Sequence, residues 1–182
     1  THPLPPGLGV FPLRNVDDYA ARIPSGWAER GGVMLPMYQS EALWISFGSG
    51  SWPAYCFAVK VSTGGICALT GQRGISGLRR DPQNYLVLPH QPWLDGFNVG
   101  GDTVRQFIAV PLDNESSVEH QIKGEASEGG MDLEVVPMTA DAWRRNRPDE
   151  STMMLFEGEL GAACCAAPDM GFAAGGRMRQ EI

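Results

Sequence analysis

The sequence predicts a mainly β fold, either an antiparallel β-sandwich or a barrel-like sheet, with two short peripheral helices. Glycine (23) and proline (14) make up about a fifth of the 182 residues, which is typical of strands joined by many tight turns. Short apolar runs recur without a long amphipathic helix between them, and this pattern excludes repeating βαβ units. We interpret residues 1–182 as one domain.

The predicted strands begin after the glycine pair at 31–32. Residues 55–61 and 66–70 are β-prone and flank a hairpin-length loop at 62–65 that contains two glycines. The other predicted strands lie at 42–47, 85–88, 104–110, 118–123, 133–136 and 153–160. They are bounded by glycine- and proline-rich turns, as expected for an antiparallel architecture.

Two segments carry helix signals. Asn15 is a predicted N-cap for a short helix over 16–23, which must end at Pro24. Thr139 caps a second helix over 140–147, which Pro148 stops. Residues 1–14 are predicted to be an extended arm, and the Ala/Gly-rich segment 161–176 leads to a terminal strand.

Composition limits the partners and the compartment. The net charge is -7, so the overall field repels phosphate backbones and argues against a nucleic-acid partner. No apolar run approaches the roughly 20 residues that a membrane helix needs, and we expect a soluble chain. The four cysteines show no metal-ligand spacing, so the sequence predicts no metal and no cofactor. Reduced thiols favour a cytoplasmic protein, whereas the glycosylation sequon at 114–116 leaves secretion as the alternative.

Several motifs resemble those of an uncharacterised protein family found in bacteria and fungi. The core of the pattern is QPWLDG at 91–96, followed by RQF at 105–107, Pro-Leu at 111–112 and Val-Glu at 118–119. Further matches lie at 9–13, 17–20, 35–44 and 175–180. Members of that family are sometimes labelled integral membrane proteins, a label that this sequence contradicts. The resemblance implies one coherent domain and carries no established activity.

The richest polar segment runs from 90 to 98 and continues at Arg105 and Gln106. Trp93 offers a flat face for stacking, and Asp95 would lie on the same side of an extended strand. Arg105 can hold a carboxylate or phosphate through two bonds. Alternatively, 92–96 is a structural turn in which Trp93 fills the core and Arg105 pairs with Asp95. The predicted ligand-binding residues are Gln39, Glu41, Trp93, Asp95, Arg105 and Gln106.

Three functions remain open at this point. The first is a non-catalytic binding module for a polar small molecule or saccharide. The second is a hydrolase or lyase that uses paired carboxylates such as Asp95 and Glu41. The third is an assembly subunit that forms a homo-oligomer through its C-terminal strand at 177–182.

Overall fold

The strands of this protein form antiparallel sheets, which confirms the mainly β prediction. The computed structural model describes residues 7–47, 55–74, 76–89, 91, 93–100, 103–111, 115, 117–124 and 129–146, and the backbone of 177–179. The strands are β1 (Arg14–Asn15), β2 (Val33–Met34), β3 (Ala42–Leu43), β4 (Ile45–Ser46), β5 (Phe57–Thr63), β6 (Ile66–Cys67), β7 (Leu86–Leu88), β8 (Trp93–Leu94), β9 (Gly96–Asn98), β10 (Thr103–Ile108), β11 (Met131–Pro137) and β12 (Arg177–Arg179). The helices are a 3₁₀ helix (Asp17–Arg22), α1 (Ser25–Arg30), α2 (Val118–Lys123) and α3 (Ala140–Asn146).

Strand β5 is the centre of one four-stranded sheet. It pairs with β11 along its whole length, with β7 at its first residues and with β6 at its last. Its β-branched and aromatic residues suit a strand that is enclosed by neighbours. Residues 59–63 are all buried, so both faces of β5 are covered.

Strand β10 organises the second four-stranded sheet. It pairs with β9, β3 and β12. The terminal strand that the sequence predicts at 177–182 is therefore present over Arg177–Arg179, and its partner is β10 of the same chain. Strands β1 and β2 form a separate pair, as do β4 and β8.

The core lies between these two sheets. Val59 and Val61 of β5 pack in one cluster with Ala68, Phe97 and Phe107. The rings of Phe97 and Phe107 meet edge to face with centroids 4.6 Å apart, a favoured aromatic geometry. The two four-stranded sheets thus bury their apolar sides against each other.

The hairpin between β5 and β6 is confirmed, and its turn is tighter than the sequence suggests. Strand β5 continues to Thr63, so Gly64 and Gly65 form the turn, with φ angles of 53° and 76°. Two consecutive positive φ angles define a type I′ turn, which matches the twist of the flanking strands. Helix α3 is also confirmed, because the Thr139 hydroxyl accepts from the backbone N–H of Ala142 at 3.3 Å.

The prediction of a strand at 118–123 is wrong, because these residues form α2. The Ser117 hydroxyl caps the helix by accepting from the His120 N–H at 3.0 Å. Gly124 ends the helix with a φ of 77°, the left-handed conformation common after a helix. Val118 and Ile122 are four residues apart, so both also fit one face of a helix.

Two other boundaries differ from the prediction. The expected strand at 42–47 is split into β3, which pairs with β10, and β4, which pairs with β8. The expected helix at 16–23 is a 3₁₀ helix with Val16 at the N-cap position. Helix α1 is additional to the two predicted helices.

The predicted strand at 153–160 and the segment 161–176 lie outside the described residues. In the part of the chain that the structure describes, no helix has the length and apolar character to cross a bilayer.

Gly96 lies where β9 approaches β10 too closely for a side chain. A Cβ at this position would be 2.2 Å from the Arg105 carbonyl oxygen and 2.7 Å from the carbonyl carbon. We expect Gly96→Ala to lower the free energy of unfolding by about 3 kcal/mol, because the backbone itself would have to move. Urea denaturation measures this loss.

The matched control is Gly26→Ala in α1. A Cβ at Gly26 meets nothing within 4 Å, and alanine is the better helix former by roughly 1 kcal/mol. We therefore expect this variant to be at least as stable as the parent. Equal stabilities of the two variants would contradict the close approach at Gly96.

Candidate functional site

The first candidate site is a cavity of about 440 Å³ beside Arg105, between the end of β6, strands β9 and β10, and helix α2. We call it the Arg105 cavity. Its polar side chains are Thr70, Asn98, Arg105 and Gln121. Its apolar side chains are Val99, Val118 and Ile122. The lining of the cavity is therefore divided between polar and apolar side chains.

The guanidinium of Arg105 is oriented by helix α2. Arg105 lies opposite Phe97 in the β9–β10 ladder, and its Nη1 donates to Oε1 of Gln121 at 3.3 Å. The helix is tied down in turn, because Arg73 donates from Nη2 to the carbonyl oxygen of Ile122. Arg105 therefore lines the cavity with its guanidinium hydrogen-bonded to helix α2.

The backbone forms the opposite wall. Asn98 donates its N–H to the Ala68 carbonyl at 2.7 Å, which joins β9 to the turn after β6. Gly71 has a φ of 67°, and a Cβ there would lie 2.8 Å from the Asn98 carbonyl oxygen. The amide oxygen of Asn98 accepts from the Gly100 N–H at 2.9 Å. Only glycine at position 71 allows this close approach.

Arg105 is the one predicted site residue that lines this cavity. Gln106 follows it in β10, so its side chain points to the other face of the strand. The side-chain oxygen of Gln106 is buried and has no hydrogen-bond partner among the described residues. Trp93 is half-buried in β8, opposite Ser46 of β4. His90 lies outside the described residues.

Gln39 and Glu41 belong to a turn beyond the end of β10. Glu41 accepts from the Tyr38 N–H through Oε2 at 2.6 Å, so its carboxylate stabilises its own turn. The Glu41 carbonyl accepts from the Ala109 N–H at 2.9 Å, and Gln39 is exposed. The six predicted residues thus follow the length of β10 and its neighbours and do not line one cavity.

Asp95 is a half-buried carboxylate between β8 and β9. Its carbonyl oxygen accepts from the Phe107 N–H at 2.8 Å, while Arg105 pairs with Gln121 rather than with Asp95. Burial raises the pKa of the Asp95 carboxyl above its usual value of 3.8, and a hydrogen bond to backbone partly offsets this. The ionised form is therefore disfavoured in the fold.

We expect Asp95→Asn to raise the stability of the protein at neutral pH. A raised folded-state pKa means that the ionised carboxylate destabilises the fold above that pKa, and that the penalty vanishes below the unfolded value. The difference between variant and parent should shrink as the pH falls towards 3.8. Urea denaturation from pH 3 to pH 8 tests this. A difference that grows on acidification would contradict it.

A second cavity, of about 310 Å³, lies on the other face of β5. We call it the Lys60 cavity. Lys60 and Ser62 are buried at its floor, and Gly65, Gly74, Ser76, Asp132 and Glu134 form its exposed rim. The Lys60 Nζ lies 3.2 Å from Oε2 of Glu134 and 3.4 Å from the Gly77 carbonyl oxygen. The sequence interpretation missed Lys60, although a lysine inside an apolar strand is an unusual signal.

Asn84 holds the loop that borders this cavity. The residue is fully buried. Its side-chain oxygen accepts from the Arg79 N–H at 2.7 Å, and its side-chain nitrogen donates to the Gly77 carbonyl at 3.1 Å. That same carbonyl faces Lys60, so Asn84 positions a partner of the buried ammonium.

We expect Asn84→Ala to lower the free energy of unfolding by about 2–3 kcal/mol, because it removes the two hydrogen bonds to Arg79 and Gly77 and leaves a gap at a fully buried position. Thermal and urea denaturation measure the loss. Gln83→Ala is the matched control, since Gln83 is exposed and its side chain donates to the nearby Tyr85 carbonyl. It should cost less than about 0.5 kcal/mol. A similar loss in both variants would contradict the role of Asn84.

Comparison with known proteins gives no match from which a function could be transferred, so the function is argued from the geometry of the chain. No family model matches the chain, and neither the curated proteins nor the solved structures contain a match. The family resemblance in the sequence motifs stays a prediction. Across the described ranges, no three His, Cys, Asp or Glu side chains are grouped so that they could hold a metal ion.

Cys56 and Cys67 are free thiols. The Sγ of Cys67 lies 3.5 Å from the Asn84 carbonyl oxygen, so this buried thiol contacts the loop that borders the Lys60 cavity. Burial raises the pKa of the Cys56 thiol, which disfavours its reactive thiolate form. Neither residue lines the Arg105 cavity or the Lys60 cavity.

Proposed function

We propose that this protein is a non-catalytic binding module whose Arg105 cavity takes a small polar molecule with an anionic group. One observation carries the proposal: the Arg105 guanidinium, oriented by Gln121, lies in the wall of a cavity of about 440 Å³. Arginine binds a carboxylate or phosphate through two parallel bonds, which gives both affinity and orientation.

The rest of the cavity suits a ligand with an apolar part. Val99, Val118 and Ile122 supply apolar surface to the lining, while the Thr70 hydroxyl and the amides of Asn98 and Gln121 are available for hydrogen bonds to a ligand. The volume falls within the range of known small-molecule pockets, about 300–1,000 Å³. A small carboxylate with an aromatic or aliphatic body therefore matches the lining better than a bare ion.

Saccharide stacking on Trp93 has less support, because Trp93 does not line this cavity. The hydrolase or lyase alternative needs two carboxylates in one cleft. Asp95 and Glu41 line neither the Arg105 cavity nor the Lys60 cavity. No specific observation favours saccharide stacking or carboxylate chemistry over the binding of an anion at Arg105.

Benzoate and its neutral isostere benzamide test the proposal as a matched pair of probes. We expect benzoate to shift the backbone amide NMR signals of Gly71, Val99 and Gly100 in the intact protein, because these residues line the cavity. Benzamide should bind more weakly, since it lacks the charge that Arg105 pairs with. Arg105→Ala should reduce benzoate affinity by about tenfold or more, the value of a hydrogen bond to a charged group.

Arg80→Ala is the control for general loss of positive charge, because Arg80 is exposed and lies outside the cavity lining. Its benzoate affinity should equal that of the parent. Equal binding of benzoate and benzamide, or unchanged affinity in Arg105→Ala, would contradict an anion site. Glucose that shifts the same amides without any need for Arg105 would favour the saccharide alternative.

A further inference from the structure

Lys60 is a buried amine in a cavity that the proposed binding function does not use. Lys60 is only 7% exposed, although lysine is almost never fully buried in proteins unless it is paired. It lies on the central strand β5, on the face opposite to the core residues Val59 and Val61. The sequence has only two lysines, Lys60 and Lys123.

We propose that Lys60 is a nucleophile that forms an imine with a small neutral aldehyde or ketone in the Lys60 cavity. Proteins form imines through lysines that are removed from water, and an adjacent general base is a common way to activate a nucleophile. The cavity of about 310 Å³ has room for a small carbonyl compound beside the amine.

The geometry supplies the groups that the reaction needs. Glu134 lies directly opposite Lys60 in the β5–β11 ladder, and its Oε2 is 3.2 Å from Nζ. Ser62 is two residues along β5, so its side chain lies on the same face as Lys60. A proton acceptor and a hydroxyl donor therefore flank the amine inside one cavity.

The reaction balances without a co-reactant. The Lys60 ammonium passes a proton to the Glu134 carboxylate, and the neutral amine attacks the carbonyl carbon to form the C–N bond. The carbonyl electron pair moves to the oxygen, which Ser62 stabilises by a hydrogen bond and which takes up a proton from the newly bonded, positively charged nitrogen. The carbinolamine hydroxyl then takes the proton held by Glu134 and leaves as water, while the nitrogen lone pair forms the C=N bond. The products are one protonated imine, which faces the restored Glu134 carboxylate, and one water molecule.

The charges of the lining select neutral carbonyl compounds. One ammonium, from Lys60, faces two carboxylates, from Asp132 and Glu134, so the cavity is net negative. Asp132 lies opposite the uncharged Ser62 and is exposed at the rim. A 2-oxo acid entering past Asp132 would meet like charge, whereas a hydroxylated aldehyde would not.

A purely structural ion pair gives the opposite expectation for reactivity. If Glu134 serves only to compensate the buried ammonium, folding should protect Lys60 from aldehydes. If the cavity activates Lys60, folding should accelerate its reaction. The comparison of the folded chain with the same chain in concentrated urea therefore separates the two roles without any mutation.

Glycolaldehyde with cyanoborohydride is the test, because reduction fixes the imine as a stable secondary amine. Peptide mass spectrometry then gives the labelling rate at each of the two lysines. We expect Lys60 in the folded protein to react at least about tenfold faster than Lys60 in the urea-unfolded chain. A slower reaction, or an equal rate, in the folded protein overturns the proposal.

Two variants locate the effect. Glu134→Gln removes the proton acceptor, and we expect the Lys60 rate to fall about tenfold or more while Lys123 is unchanged. Asp132→Asn is the matched control: its rate with glycolaldehyde should stay near that of the parent, while labelling by pyruvate should rise. A Glu134→Gln variant that is folded by circular dichroism and labels Lys60 at the parental rate overturns the mechanism.

Discussion

Burial of β5 on both faces is the constraint on which the rest of this structure depends. β11 pairs along one edge of β5, and β7 and β6 pair with the two ends of its other edge. Because these strands occupy only the edges, other parts of the chain must pack on its two faces. One face, with Val59 and Val61, meets the apolar side of the β10 sheet. The other carries Lys60, whose charge requires polar partners. Glu134 and the Gly77 carbonyl supply them, so the loop after β6 must be ordered, and Asn84 orders it.

The β10 sheet shows how the core and the Arg105 cavity share residues. Val118 packs against the core cluster and also lines the Arg105 cavity, so helix α2 closes the core on one side and forms a wall of the cavity on the other. The backbone contacts at Gly71 and Gly96 bring β9 close to its neighbours. Side chains at these positions would separate the elements that hold Arg105, so the shape of the cavity depends on both glycines.

Local signals could be predicted from the sequence, whereas pairings between distant elements could not. The Gly64–Gly65 turn and the Thr139 cap are set by neighbouring residues, and both were identified. The spacing of the apolar residues in 118–123 fits a strand and a helix alike. The Ser117 cap and the Gly124 terminator are the signals that identify this segment as a helix. The strand at 42–47 is split because its halves pair with β10 and β8, which no local pattern shows. Arg105 could be selected from its chemistry, but its partner Gln121 is brought to it by the fold.

The two cavities also show why net charge is a poor guide to local chemistry. The chain carries -7 overall, which argues against polyanionic partners, yet each cavity has a cation in its wall. The two cations, Arg105 and Lys60, differ in their chemistry. An arginine guanidinium keeps its charge in proteins, and in the proposed binding function Arg105, hydrogen-bonded to Gln121, pairs with an anion. In the proposed imine chemistry, Lys60 passes its proton to the carboxylate of Glu134 and attacks with its lone pair. The two proposals thus place recognition at one side of the core of this acidic fold and covalent chemistry at the other.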